Sequence, residues 1–167
     1  MDRRLPIVAL AALCLGVPLR AQTFSVALLE DAGGAEGREL SEALVGGCLD
    51  LLFDAGLIAT NEAIGRIDRA GFKSGDLGLK AAREGYVDYV ALVWVRYVDT
   101  PTEPPERVPE TLDWRLLRVR DGTALAEGSS APPRLESKTG DERRDLLTRF
   151  GRSLADAWMK ALRKERG

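Results

Sequence analysis

Apolar residues alternate along five segments of the chain in the pattern of β-strands. The first segment places Phe24, Val26 and Leu28 on one face and has apolar residues on the other, which indicates an interior strand. Asp121–Gly122 is a dipeptide typical of a tight hairpin turn between the last two strands. The five predicted strands are Thr23–Leu29, Leu57–Thr60, Tyr86–Val98, Thr111–Arg120 and Thr123–Ser129.

Apolar residues that recur every three or four positions predict a first helix over Arg38–Ala55. Gly56 stands where a left-handed residue ends a helix. Gly46 and Gly47 lie inside this helix, where each glycine costs about 1 kcal/mol relative to alanine. We therefore expect them to let the sheet approach the helix closely.

Two further helices follow, separated by the strongest strand. The second begins at Ser74 or Asp76 and runs to Glu84, with Gly85 ending it. The segment before it, Asn61–Lys73, is less clear, with one turn of helix suggested at Glu62–Ile64. Thr139-Gly140-Asp141-Glu142 fits a capping box for the last helix. The predicted core face of that helix is Leu146, Leu147, Phe150, Leu154, Ala157, Trp158 and Ala161.

These elements follow the order β-α-β-α-β-β-β-α. The order predicts an α+β fold, close to the α/β class, with a mixed sheet of about five strands and three helices. Residues 22–167 have the length of a single domain that can bury its own core. We find no internal repeat and predict one mixed alpha/beta domain there.

The first 21 residues have the features of a secretory signal peptide. Arg3 and Arg4 precede an apolar run from Leu5 to Val17, and Ala21 supplies the small residue that a signal peptidase requires. The run is shorter than the about 20 residues of a membrane span. We predict cleavage after Ala21 and a periplasmic or otherwise exported protein without a transmembrane span, an uncleaved anchor being the alternative.

Composition then narrows the function classes. Without residues 1–21 the chain keeps 21 basic and 25 acidic residues, a net charge of −4 and no long basic run. This balance argues against nucleic acid as a partner. Cys48 is the cysteine that remains after processing, so no internal disulfide is expected.

Candidate catalytic and cofactor groups have weak support in the sequence. The Gly33–Gly37 loop lacks the lysine of a P-loop and the spacing of a dinucleotide fingerprint. The chain has no histidine, which removes the usual triads and zinc sites. We interpret Cys48 as a buried structural residue, and Glu30 and Asp31 as solvated surface. We expect no enzyme activity, no cofactor and no metal.

The aromatic residues around the central strand allow two interpretations. Tyr86, Tyr89, Trp94 and Tyr97 could form a stacking platform for bases or sugars, but their strand spacing favours core and cross-strand pairs. We adopt the second interpretation.

Two surfaces are candidates for partner binding. The segment Asp99–Glu110 is acidic and extended, and its residues Pro101, Pro104 and Pro105 suit docking to a partner, whereas a simple connector is the alternative. The last helix provides a basic counterpart, which could bind a different partner or the acidic loop of a second copy in a homo-oligomer. Its candidate residues are Arg149, Arg152, Lys160 and Arg163.

Two segments resemble a known group of bacterial domains. Ala81–Leu92, a helix that ends in Gly-Tyr-Val-Asp before a strong strand, is similar to a segment of the TolB amino-terminal domain and of the periplasmic parts of CsgG and LpoB. The likeness continues at Trp114–Thr123, where an apolar strand reaches Asp-Gly-Thr, and the order of elements agrees.

The resemblance implies a mixed sheet flanked by helices and no catalytic residues. It also implies a non-catalytic interaction or scaffold domain that is accessory to cell-envelope assembly, with envelope proteins as partners. The alternative is a periplasmic protein that binds a small molecule or lipid between the sheet and the helices. The lipid-bearing cysteine of two of these families and the propeller of TolB are missing here.

Overall fold

The computed structural model describes residues 22–166, and the predicted export signal, residues 1–21, lies outside them. The described part has the predicted α+β class, with six strands and four helices. Two short elements, one strand and one helix, exceed the expected number. The elements are β1 (Thr23–Asp31), α1 (Arg38–Asp54), β2 (Ile58–Asn61), β3 (Gly65–Ile67), α2 (Arg69–Ser74), α3 (Asp76–Glu84), β4 (Tyr89–Asp99), β5 (Arg107–Arg118), β6 (Ala124–Ser130) and α4 (Gly140–Arg166).

All six strands belong to one mixed sheet with the order β2-β1-β4-β5-β6. β1 runs parallel to β2, β3 and β4, and β3 pairs with the end of β1 beyond β2. β4, β5 and β6 are antiparallel neighbours. Parallel neighbours require a crossover connection, and here helices provide it. The antiparallel neighbours are joined by short connections.

Helices cover both faces of the sheet. Phe24, Val26 and Leu28 of β1 face α1 and α4 in the larger core cluster, whereas Ala27 faces α2 and α3 in the smaller one. The alternation in the sequence predicted this division, and it explains why β1 and β4 are apolar on both faces. The larger cluster includes Trp158, which stacks on Phe24 with ring centroids 6.0 Å apart.

The segment that the sequence left unclear forms a strand and a helix. The prediction of a helical turn at Glu62–Ile64 is wrong, because this stretch is irregular and leads into β3. β3 extends the parallel sheet through the pairs Leu29–Gly65 and Asp31–Ile67. The Asp68 side chain then accepts a hydrogen bond from the backbone N–H of Gly71 at 2.8 Å and caps α2.

The close approach expected at the glycines of α1 exists, but the partner is α4 and not the sheet. A Cβ on Gly47 would overlap the backbone carbonyl of Thr148, whereas a Cβ on Gly46 would meet nothing within 4 Å. Gly56 has φ +77° and ends α1 as predicted, and Leu57 N donates to Leu52 O at 3.0 Å in the same cap.

The connection between β5 and β6 is longer than a two-residue hairpin turn. β5 ends at Arg118 and β6 begins at Ala124, so Asp121–Gly122 lies inside a five-residue connection. Gly122 has φ +73° and its N–H donates to Arg118 O at 2.8 Å. The left-handed residue is therefore the glycine, as such a loop requires.

Candidate interaction surfaces

The glycine-rich segment before α1 is occupied by a carboxylate of the chain itself. Glu30 is 1% exposed, and its Oε2 accepts a hydrogen bond from Gly37 N at 3.1 Å, at the N-terminus of α1. Its Oε1 accepts a hydrogen bond from Ser41 Oγ at 2.8 Å. A helix N-terminus favours negative charge, and Glu30 supplies that charge from within the fold. The interpretation of Glu30 as solvated surface is wrong, and a phosphate would have to displace it.

The same polar cluster continues to Tyr97. Its hydroxyl lies 3.0 Å from Ser41 Oγ, and its ring packs so closely on Gly37 that a Cβ there would overlap it. Burial raises the pKa of the Tyr97 hydroxyl well above its usual range. The cluster therefore holds the start of α1 against the sheet.

Cys48 lies at the contact between α1 and α4 and is fully buried. Its thiol donates a hydrogen bond to Gly151 O at 3.3 Å. Burial raises the pKa of the Cys48 thiol far above its usual range, which disfavours the thiolate that nucleophilic chemistry requires. The position is that of a structural cysteine, as the sequence predicted.

Within residues 22–166 no group of three or more histidine, cysteine or acidic side chains is arranged to hold a metal ion. The same residues contain no helix that is both long and apolar enough to cross a membrane. Asp31, the second carboxylate that the sequence singled out, lies 3.6 Å from Arg96 Nε in an ion pair.

The proline-containing connection is shorter than the expected loop Asp99–Glu110. β4 extends to Asp99 and β5 begins at Arg107, so the connection between them, which we call the proline loop, is Thr100–Glu106. Pro109 is part of β5 and pairs with Tyr97 where the register of the two strands shifts. A proline has no N–H to donate to a regular ladder of hydrogen bonds. It is tolerated at a bulge because the ladder is interrupted there.

Hydrogen bonds within the proline loop fix its shape. Thr100 N donates to Glu106 O at 2.9 Å, and Glu106 N donates to Thr100 Oγ1 at 2.9 Å. Thr102 Oγ1 donates to Pro104 O at 3.1 Å. The residues between these closing bonds, including Pro101, Pro104 and Pro105, are all exposed. The loop therefore projects from the surface in a shape that its own hydrogen bonds hold.

The base of the proline loop is attached to the start of α4. Glu106 Oε2 lies 2.7 Å from Arg143 Nη2 and also accepts a hydrogen bond from Ser137 N at 3.1 Å. Arg143 is largely buried, so this pair is better shielded from solvent than the other ion pairs near the loop. No local pattern in the sequence indicates this contact, which joins residues 37 positions apart.

The four basic residues predicted on α4 lie on its outward side, but two of them are neutralised. Arg152 Nη2 lies 2.7 Å from Asp54 Oδ2 at the end of α1, and Lys160 Nζ lies 2.7 Å from Asp156. Arg149 and Arg163 are exposed and form no ion pair within the described part of the chain. These four residues form what we call the α4 stripe, which is less positive than the sequence suggests.

The structure does not bring the proline loop and the basic end of α4 together. The loop contacts Arg143 in the first turn, and Arg163 lies 20 residues further along the helix. At 1.5 Å per residue this separation is about 30 Å. The two surfaces are therefore distinct.

A further group of functional candidates was missed at the opposite end of the sheet. A depression of about 510 Å³, which we call the Gln22 pocket, is lined by Gln22, Arg83, Tyr86, Asp88, Arg118 and Arg120 among others. The sequence pattern predicted Tyr86 in the central strand and in the core. In the structure β4 begins at Tyr89, and Tyr86 is 91% exposed.

The other aromatic residues of that group are core residues, as predicted. Trp94 stacks on Phe72 on one face of the sheet, whereas Tyr97 is buried on the other. Tyr89 packs near Phe24, with ring centroids 6.5 Å apart. They therefore form no common stacking platform.

No protein-family model matches the chain, and no curated protein sequence matches it. Solved structures do show the same fold. A DUF330-family protein from Xanthomonas campestris is 14% identical, with a TM-score of 0.50 and coverage of 87% of each chain.

TolB and LpoB, which the sequence resembles, are both among the similar structures. TolB from Acinetobacter baumannii is 12% identical with a TM-score of 0.48, over 86% of this chain and 28% of TolB. The LpoB C-terminal domain from Salmonella enterica is 15% identical with a TM-score of 0.38, over 68% of this chain and 84% of that domain. At these identities and TM-scores neither structure carries an argument about this chain.

Proposed function

We propose that the protein is exported through its N-terminal segment and acts as a non-catalytic interaction or scaffold domain, accessory to cell-envelope assembly. The observation that carries this proposal is the proline loop, whose exposed residues 101–105 are held by bonds between Thr100 and Glu106. A braced loop loses little conformational entropy when a partner binds it. The resemblance to TolB, CsgG and LpoB supports an envelope role.

Charge supports the choice of the proline loop as the contact surface. Glu103 in the loop forms no ion pair among residues 22–166. Asp99 beside the loop is paired with Arg107, and Glu106 at its base is paired with Arg143, so the loop presents a polar surface with one unpaired negative charge. The α4 stripe, about 30 Å away at its far end, offers the opposite charge through Arg149 and Arg163. Two separated surfaces of opposite charge suit either two different partners or a head-to-tail assembly of copies.

A non-catalytic role agrees with the way in which the fold uses its reactive groups. Glu30, Ser41 and Tyr97 bond to one another and to the start of α1, and Cys48 bonds to Gly151. Each of these groups makes its hydrogen bonds inside the core. None of them lines the Gln22 pocket, where a substrate could reach it. The chain also has no histidine to serve as a general base at neutral pH.

The proposal is tested by replacing residues 101–105 with a Gly/Ser segment of equal length and cross-linking the protein to its neighbours in its own cells. We expect the protein to fold with a modestly lowered unfolding midpoint, because the closing bonds of Thr100 and Glu106 are kept while the loss of the prolines raises the entropy of the unfolded chain. We also expect loss of at least one envelope protein from the cross-linked set.

The matched variant carries Arg149→Gln and Arg163→Gln on the α4 stripe. If both variants fold and retain the complete cross-linked set, neither surface binds a partner and the proposed function is wrong. Size-exclusion chromatography with light scattering on the same proteins separates a heterologous partner from self-assembly.

A further inference from the structure

The Gln22 pocket contains more positive groups than its lining neutralises. Three arginines, Arg83, Arg118 and Arg120, line it together with one carboxylate, Asp88. The Asp88 carboxylate is engaged elsewhere, because its Oδ2 accepts hydrogen bonds from both the N–H and the hydroxyl of Thr23 at 3.0 Å.

The surrounding carboxylates leave guanidinium groups available. The single carboxylate of Asp121 lies 3.5 Å from both Arg118 and Arg120 and is shared between them. Glu165 lies 3.1 Å from Arg118 Nη1. Arg83 forms no ion pair in the described residues, and its guanidinium lies over the β5–β6 connection, 4.0 Å from the position of a Cβ on Gly122. Arg83 and Arg120 are exposed and can turn toward a ligand.

Two polar atoms of the pocket lining are buried without a hydrogen-bond partner among residues 22–166. One is Gln22 Oε1, an acceptor, and the other is Arg118 Nε, a donor. Asp121 is 3.5 Å from Arg118 Nε and makes no hydrogen bond with it. An unsatisfied buried polar group is unfavourable, and a ligand with both an acceptor and a donor would satisfy both atoms once the two side chains turn toward the pocket.

Tyr86 stands in a backbone position that favours glycine. It has φ +54°, and Val87 N donates to Ala82 O while Tyr86 N donates to Arg83 O, both at 3.1 Å, which is a left-handed cap of α3. The equivalent cap of α1 uses Gly56. A tyrosine there carries backbone strain and gains no burial, and such strain is characteristic of binding sites.

We propose that the Gln22 pocket binds a phosphorylated polyol, such as a glycerol phosphate or sugar phosphate group, either free or as the headgroup of a lipid. Arg83, Arg118 and Arg120 bind the phosphate, because guanidinium groups donate paired hydrogen bonds to phosphate oxygens. Arg118 Nε donates one of these bonds. Gln22 Oε1 accepts a hydrogen bond from a hydroxyl of the polyol, and the carbon face of the polyol packs on the ring of Tyr86.

The size and place of the pocket fit this ligand. Its volume of about 510 Å³ lies within the range of small-molecule sites. A second depression, of about 490 Å³ near the proline loop, is also rich in arginines, but there each arginine has a carboxylate within 4 Å, as in the pairs Arg107–Asp99 and Arg143–Glu106. In the Gln22 pocket Arg118 and Arg120 are paired with Asp121 and Glu165, whereas Arg83 has no carboxylate within 4 Å among the described residues.

The test uses the full chain as its host produces it and three probes: glycerol 3-phosphate, inorganic phosphate, and vesicles with or without phosphatidylglycerol in phosphatidylcholine. We expect glycerol 3-phosphate to bind at least tenfold more tightly than inorganic phosphate, by calorimetry or by NMR titration. Binding to phosphatidylglycerol vesicles and not to pure phosphatidylcholine vesicles would identify the ligand as a lipid headgroup. Binding of glycerol 3-phosphate without binding to vesicles would identify it as a free molecule.

Three variants locate the site. The double variant Arg83→Gln with Arg120→Gln should weaken binding at least tenfold. The control is Arg144→Gln, an exposed residue of α4 that lies about 30 Å along the helix from Glu165 beside the pocket, and it should leave binding unchanged. Tyr86→Gly should raise the unfolding midpoint, because glycine fits the left-handed position, and should weaken binding at the same time. The proposal is overturned if no probe binds, if inorganic phosphate binds as tightly, or if Arg144→Gln has the effect of the pocket variants. None of these outcomes depends on the proline loop.

Discussion

The thiol of Cys48 donates a hydrogen bond to the backbone carbonyl of Gly151, 3.3 Å away, where α1 and α4 cross. Such a bond between a side chain and a neighbouring helix backbone requires that the helices touch without intervening side chains. Gly47 and Gly151 provide that contact, since a Cβ on either would overlap a backbone carbonyl, of Thr148 or of Leu44. The two helices therefore pack backbone to backbone on one face of the sheet.

Adjacent glycines of α1 should respond oppositely to alanine. Gly47→Ala forces the helices apart, and we expect a loss of about 1–3 kcal/mol in the free energy of unfolding, or more. Gly46→Ala meets open space and should gain about 1 kcal/mol from helix propensity. Urea unfolding of both variants checks the pair, and equal effects would show that the helix crossing is not the constraint.

Cys48 should be inert as a nucleophile and sensitive as a packing residue. Burial raises its pKa, so a mild alkylating reagent should label the thiol only under unfolding conditions. Cys48→Ser should cost about 1–3 kcal/mol, because a hydroxyl is harder to bury than a thiol and the shorter C–O bond places it farther from Gly151 O. Rapid labelling of the native protein would contradict this assignment, and the rate in urea supplies the reference.

Replacement of Glu30 should destabilise the fold although no catalysis depends on it. In Glu30→Gln one acceptor becomes an amide donor, which either faces the donor Gly37 N–H or forces the Ser41 hydroxyl to accept where it now donates. A mismatched buried bond of this kind costs about 1–3 kcal/mol. Glu36→Gln removes the same charge from an exposed position nearby and should change the free energy of unfolding by less than about 0.5 kcal/mol. Similar effects of both variants would mean that charge, and not the buried bonds, is what matters.

The periodicity of the sequence predicted the faces of the long elements well. Phe24, Val26 and Leu28 do share one core, and the capping box of α4 forms as expected, with Thr139 N donating to Glu142 Oε2 at 2.9 Å. These features depend on residues close in sequence, whose spacing carries the information. β3 was missed because three residues are too few to show a period.

Features that depend on distant residues were not predictable in this way. Gly47 was expected to face the sheet, and only the fold shows that Thr148 approaches it. Glu30 was expected on the surface, because a carboxylate reveals its burial only when Gly37 and Ser41 are placed around it. Tyr86 was assigned to the strand since it precedes an apolar run, yet the cap of α3 turns it outward.

Export should leave a chain that begins at Gln22 and keeps the whole sheet. Gln22 lies one residue before β1, and its carbonyl oxygen accepts a hydrogen bond from Ile58 N at 3.1 Å, so the pairing of β1 with β2 starts there. Cleavage after Ala21 therefore removes no residue of the sheet. We expect the intact mass of the protein from its host to match residues 22–167, and a protein expressed from Gln22 to have the same unfolding midpoint. A start at Ser25 should cost more than about 3 kcal/mol, because it deletes the buried Phe24 and the Thr23 bonds to Asp88. Recovery of the uncut chain in the membrane fraction would contradict the cleavage and establish the uncleaved anchor in its place.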